Sequence, residues 1–359
     1  MAIKLTVLDQ SPTHPVETAP GCANAGQMSI ALARACDALG YYRYWVAEHH
    51  NSPQFAGPAP EILLAGIASV TERMRVGSGG VMLSHYSPYK VAEVFNMLCA
   101  LFPGRIDLGI GRAPGGDALA ASALAWPSKP LDPHHYPAQA ATLQGLLTQT
   151  LPADHPWAGL HICPSVASGP ELWMLGSGGG SAALAGQLGM SLALARFISP
   201  DHCHPQIFEA HDQAWRASGH DGAAGRMLAI AGFCAETREE AMHLAGTAIY
   251  RKMMMQVGGQ DALLPPAAVQ DRRRHFSPSE EAEYRHIESG YTIGTPEQCR
   301  DEIEKLAKAF GTEEVAVVTV THDFVARVNS YALLADALGD CQHGGRHAHH
   351  ANSETVAGS

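Results

Sequence analysis

Residues 171–189, ELWMLGSGGGSAALAGQLG, decide how the chain is read. Leu172, Trp173, Met174 and Leu175 form a short apolar run, the pattern of a fully buried strand. Gly176, Ser177, Gly178, Gly179 and Gly180 follow. Ser181 then stands as a helix N-cap, with Leu188 four residues after Leu184 and Gly189 as a stop. Strand, glycine loop and helix start together form a site for an anion. Glycine lets a ligand approach the backbone, free N–H groups point outward, and the helix dipole favours negative charge. Phosphate is the natural occupant. The plainer reading is a glycine-rich turn between strand and helix.

On both sides of this stretch, strands and helices alternate. Apolar β-rich runs predict strands over residues 3–8, 42–47, 74–83, 105–110, 190–195, 227–235 and 314–321. Helical spacing predicts helices over 25–39, 60–70, 88–102, 138–151, 205–218, 238–256, 295–310 and 323–338. Such alternation implies a parallel sheet. At 359 residues a (β/α)8 TIM barrel fits better than an open doubly wound sheet. Residues 257–290, with Gly-Gly, Pro-Pro and a charged piece, read as an insertion before the last strand. One domain is expected over 1–338, and 339–359, small, polar and histidine-rich, reads as a loose tail.

Composition narrows the function. Hydrophobic residues make up 46% and charged residues 16%, which suits a large core and argues against a coiled coil or long disordered chain. A net charge of −11 without a long basic run excludes nucleic acid as a partner. Arg272, Arg273 and Arg274 are the tight basic cluster and read as a solvated loop. Eight scattered cysteines contain no CxxC pair, so neither a zinc knuckle nor a thioredoxin-type site is indicated. The N-terminus reads as a strand and turn rather than a signal peptide, and no apolar run is long enough to cross a bilayer. A cytoplasmic protein that does not engage membranes is expected.

A barrel carries its active site at the C-terminal ends of its strands. Here those ends offer Asp9, Glu48-His49-His50, Gly79-Gly80, Arg112 and residues 177–181. They are polar, cationic or glycine, as an anionic planar ligand lying across the mouth requires. Adjacent residues leaving a strand point to opposite sides, so one of His49 and His50 faces the mouth and the other supports it. The alternative is two surface histidines. Arg112, in a glycine-rich loop, suits phosphate or an electron-rich ring edge, or else a surface salt bridge. Gly79-Gly80 inside a strand reads as a flat ligand lying on the backbone, or as a bulge. No metal is expected: His202-Cys203-His204 lacks a carboxylate at helical spacing. Ser177 is not in a G-x-S-x-G elbow.

Five motifs in order resemble those of the bacterial luciferase-like monooxygenases, in particular the natural-product-type oxygenases. They are VLDQSP at 7–12, YWVAEHHN at 44–51, VGSGGVML at 76–83, GRIDLGIGRAPG at 104–115 and LGSGG at 175–179. The resemblance runs from about residue 3 to 338. It implies a (β/α)8 barrel that binds reduced FMN (FMNH2) supplied by a separate NAD(P)H:flavin reductase. It implies a homodimer that uses O2, through a C4a-hydroperoxyflavin, to oxygenate a small organic substrate. It assigns His49, with His50, to catalysis. Arg112 and the loop of Gly176, Ser177, Gly178, Gly179 and Ser181 are assigned to the FMN phosphate. Asp9, Ser78, Gly79 and Gly80 complete the cofactor set, the glycine pair carrying a non-proline cis peptide beneath the flavin ring. Gly111 stands where luciferase has cysteine, which argues against light emission. Asp132-Pro133-His134-His135-Tyr136 replaces the acidic Asp-Phe-Pro element of relatives. The alternatives are an F420-dependent hydride-transfer oxidoreductase on the same barrel, a non-catalytic flavin-binding protein, and a barrel binding another phosphate ester.

Overall fold

A computed structural model describes residues 2–13, 25–259 and 262–339. From residue 340 onward the expected tail lies outside the described residues. The strands are β1 (Lys4–Asp9), β2 (Arg43–Val46), β3 (Arg75–Met82), β4 (Ile106–Gly111), β5 (Glu171–Gly176), β6 (Ser191–Ala195), β7 (Arg226–Cys234), β8 (Thr292–Gly294) and β9 (Glu314–Val318). Every pairing between them is parallel. The order β6-β5-β4-β3-β2-β1-β9-β7, with β6 also paired to β7, closes an eight-stranded barrel with helices between the strands. The eight predicted strands are these eight. Strand β8 is additional and pairs with the end of β7, Gly232 opposite Thr292.

Period-two alternation builds two layers. On β7, Leu228 and Ile230 pack outward against the helices, while Met227, Ala229, Ala231 and Phe233 join the inner cluster. On β9, Val315 and Val317 face outward and Ala316 and Val318 inward. Small inward residues such as Ala193, Ala229 and Ala316 leave room for Trp45 and Trp173, which meet edge to face at 5.3 Å. Below them, at the N-terminal strand ends, an ionic network fills the barrel. Arg43 pairs with Asp107 at 2.7 Å, Glu314 at 2.8 Å and Glu171 at 2.8 Å, and Arg75 reaches Asp107 at 2.6 Å. Trp45 Nε1 donates to Asp107 Oδ2 at 2.9 Å, joining the aromatic layer to the charged one.

The predicted helices form with small shifts at their ends. Gly189, at φ +64, stops the Ala182–Gln187 helix as expected. Three helices had no clear periodic signal. Ala118–Ala125 is apolar all round and none of its residues is buried. Inside the insertion lie helices Pro266–Arg273 and Pro278–Ser289, the second opened by a Ser277–Glu280 capping box. The arginine cluster is therefore not a solvated loop. Arg273 clamps Glu281 through Nε at 2.9 Å and Nη2 at 2.7 Å and lies over the Tyr284 ring, and Arg272 donates to Tyr250 Oη at 2.6 Å. Arg274 lies on the outside against Asp271, and Arg272 is also exposed although its guanidinium reaches Tyr250.

Candidate functional site

Because the strands are parallel, β1 to β5 deliver their C-terminal residues to one rim. The β4 loop packs directly on the β2 loop: His50 N donates to Gly115 O at 2.8 Å. A Cβ on Gly116 would lie 2.8 Å from His50 O, so only glycine permits the approach. The β5 loop then closes on the β4 loop. A Cβ built on Gly180 meets Arg112 Nη2 at 3.9 Å, while one built on Gly178 or Gly179 meets nothing within 4 Å. The structure thus brings an exposed guanidinium beside an open glycine loop. Ser181 heads the next helix in position, but its backbone is αR and its side chain makes no capping bond. The short 3-10 turn Gly179–Ser181 runs straight into that helix, which removes the geometry an N-cap needs.

Gly79 and Gly80 occupy a bulge in β3, where the register against β4 shifts between Gly79 and Val81, and their peptide bond is cis. A Cβ on Gly79 would meet Leu8 Cδ1 at 2.6 Å, and one on Gly80 would meet Gly109 O at 2.6 Å. Backbone packing therefore already requires glycine at position 80, while at 79 the neighbours are the side chains of Leu8 and Trp45. Ser78 is committed as well: its hydroxyl donates to Gly109 O at 2.8 Å and accepts from Gly109 N at 3.1 Å.

Asp9 differs from its sequence assignment. It is wholly buried. One carboxylate oxygen takes Arg327 Nη2 at 2.6 Å and Ser11 N at 2.7 Å, and the other takes Tyr44 Oη at 2.6 Å. Burial pushes the carboxyl pKa up, but Arg327 and the hydrogen bonds outweigh it and hold the group below its ordinary range. Both oxygens are engaged in a buried strap that ties the Phe324–Gly339 helix to the first strand.

The two histidines part as alternation requires. His50 Nε2 lies 2.6 Å from Glu48 Oε1. Glu48 is buried and also accepts from Tyr86 Oη at 2.8 Å and Met82 N at 2.9 Å. Burial and the Glu48 carboxylate push the Tyr86 phenol well up, so it stays a donor. His50 is the supporting residue. His49 turns the other way and stacks on Phe55, ring centroids 4.7 Å apart, with Nδ1 buried and unpartnered among the described residues. Burial, with Arg251 nearby, lowers its pKa to about 4. At neutral pH His49 is an uncharged imidazole with a nitrogen in reserve.

Sequence reasoning missed Tyr86, Phe55 and Arg251. Tyr86 and Phe55 carry no local signal. Arg251, beside Lys252 in mid-helix, carries no local signal either. Among the described residues, no group of three or more His, Cys, Asp or Glu is placed to hold a metal, and no helix is long and apolar enough to cross a membrane.

The closed ring with its glycine-rich, cationic rim defines a (β/α)8 barrel of the luciferase-like kind. The luciferase-like monooxygenase family profile matches residues 5–313, and the chain belongs to that family of oxidoreductases. The chain is 38% identical to the protein YwcH of Bacillus subtilis (strain 168), covering 94% of this chain and 100% of that one. It is 35% identical to the N-acetyl-S-alkylcysteine monooxygenase of the same organism, covering 94% and 98%. The crystal structure of apo-MsnO8 is similar over 94% of this chain and 98% of that one, with 38% identity and a TM-score of 0.79.

Proposed function

We propose that this chain is a flavin-dependent monooxygenase that receives FMNH2 from a separate NAD(P)H:flavin reductase and oxygenates a small organic substrate. The observation that carries the reading is Arg112 beside the open Gly178–Gly180 loop, on the same rim as His49. When bound, reduced FMN supplies the two electrons that activate O2, one oxygen atom passing to the substrate and the other leaving as water. The protein's residues do the rest. Arg112 and the loop hold the phosphate through charge-assisted hydrogen bonds. The Gly79–Gly80 bulge presents bare backbone to the ring. His49, neutral and partly dehydrated, holds or gives a proton at its free Nδ1. The apolar inner cluster below excludes water from the reacting atoms.

The relative named for N-acetyl-S-alkylcysteine makes thioethers the first substrates to try. The reading extends to a cytoplasmic homodimer of a single domain over 1–338, and the exposed Leu119 and Trp126 support association between copies. The test is an anaerobic titration with FMNH2 and, in parallel, riboflavin. FMNH2 is expected to bind more tightly, with the preference lost in R112A, and its reoxidation by O2 is expected to be slower than that of free FMNH2. The same fold also serves F420-dependent enzymes. Uptake of F420 with indifference to FMNH2 would overturn the proposal.

A further inference from the structure

Two arginines of the fold are buried against carboxylates. Arg43 and Arg327, both buried, each face carboxylates, and both are more basic than a free guanidinium because of it. Arg251 differs from both. It projects from the Arg238–Gln256 helix, which follows β7, and crosses the rim to the β2 loop. Its guanidinium lies over the Phe55 ring, 4.4 Å from the centroid, and Nε donates to Gln54 Oε1 at 3.1 Å. Among the described residues, Nη1 and Nη2 donate to nothing and no carboxylate pairs with the charge. Lys252 adds a second positive charge next to it and is itself tied to Phe197 O at 2.7 Å. Burial pulls the Arg251 pKa down to about 10, the sign of a cation lacking a counter-charge.

Leaving such a charge half-buried and unpaired is costly unless something arrives to pair with it. Its position says what. The Phe55 ring it covers is the ring on which His49 stacks. Arg112 and the glycine loop belong to β4 and β5, whereas Arg251 stands across the mouth on β7 and β2. The two free Nη groups form the fork that matches a carboxylate with two parallel hydrogen bonds. We propose that Arg251 is the anchor for a carboxylate group on the organic substrate, holding the remainder of that molecule along Phe55 toward His49. The assignment of the anchored molecule as substrate rests on the monooxygenase reading; the carboxylate site itself does not.

Calorimetric titration of the full chain, with and without saturating FMN, tests this. The probes are paired acids and primary amides: hexanoate and hexanamide, 3-phenylpropanoate and 3-phenylpropanamide, N-acetyl-S-benzylcysteine and its amide. At least one acid is expected to bind tenfold or more tightly than its amide. In R251Q that ratio should fall to about one, and in R251K to an intermediate value, with FMNH2 affinity unchanged in both. The FMNH2 titration also reports that the variants are folded. The proposal is overturned if no acid outbinds its amide in the wild type, or if R251Q keeps the ratio. It is also overturned if R251Q weakens FMNH2 binding in place of acid binding, which would make Arg251 a flavin contact. Absence of FMNH2 binding in the wild type would sink the monooxygenase reading while leaving the acid-to-amide ratio to be judged alone.

Discussion

Removing the charge of Asp9 separates a strut from a ligand contact. In D9N the partner Arg327 remains, with only 1% of its surface exposed, and loses the carboxylate that neutralised it. Breaking one side of a buried ion pair costs about 3–5 kcal/mol, because the orphaned charge keeps its full dehydration penalty. The single amide oxygen can keep the bond from Ser11 N, and Tyr44 Oη retains Ser29 O as an acceptor, which favours the lower half of that range. With a urea slope of about 3 kcal/mol per molar, the unfolding midpoint should fall by roughly 1 M or slightly more. R327M should cost a similar amount, by stranding Asp9. The double variant D9N/R327M removes both charges, and its loss should be smaller than the sum of the two singles by about 2 kcal/mol. The wild-type contribution is fully present above the ordinary carboxyl value of 3.8 and is lost as pH falls through the lower folded value. Equilibrium urea unfolding of the flavin-free protein at neutral pH reads all three variants. A loss below about 1 kcal/mol in D9N, or strict additivity in the double variant, would refute the strap. A large drop in FMNH2 affinity at full stability would return Asp9 to the cofactor set.

Four further outcomes follow from the rim. R112A should weaken FMNH2 binding at least tenfold and leave riboflavin binding unchanged, since only the phosphate uses the guanidinium; parallel fluorescence titrations decide it. His49 has a folded pKa of about 4 against an ordinary 6.5, so between those values the unfolded chain binds the proton first. Stability should therefore fall by about 3 kcal/mol as pH drops through that window, and the wild-type minus H49F difference in unfolding free energy should show the slope. G178A has open space for its methyl and should melt with the wild type while binding FMNH2 more weakly; G80A drives a methyl against Gly109 O and should lower the melting temperature or abolish soluble protein.

The barrel was legible because each strand announces itself locally. Apolar runs such as Leu172–Leu175, bounded by glycine, report burial on both faces, and alternation with helices leaves few topologies. Strand β8 was not legible, since three residues carry no period and its pairing with β7 is decided by the packed insertion. The helices inside the insertion were not legible because they are short and polar on most sides, and they hold through Arg272 reaching Tyr250 and Arg273 clamping Glu281 on the next helix. At the rim, motif order placed His49, Arg112 and residues 176–181 on one end. Asp9 belongs to the first of those motifs, yet its partner Arg327 lies 318 residues away, and nothing in a one-dimensional reading joins them. Ser78 likewise looked available until its hydroxyl was found locked to Gly109. Arg251 escaped notice for the opposite reason: what marks it is a missing carboxylate, which sequence cannot display.

The floor of charges under Trp45 and Trp173 has a consequence for traffic. With Arg43, Asp107 and Glu314 packed across the strand entrances, nothing passes through the barrel from end to end. Access to the barrel interior is therefore from the rim at the C-terminal strand ends alone, and a ligand held there is reached from one side.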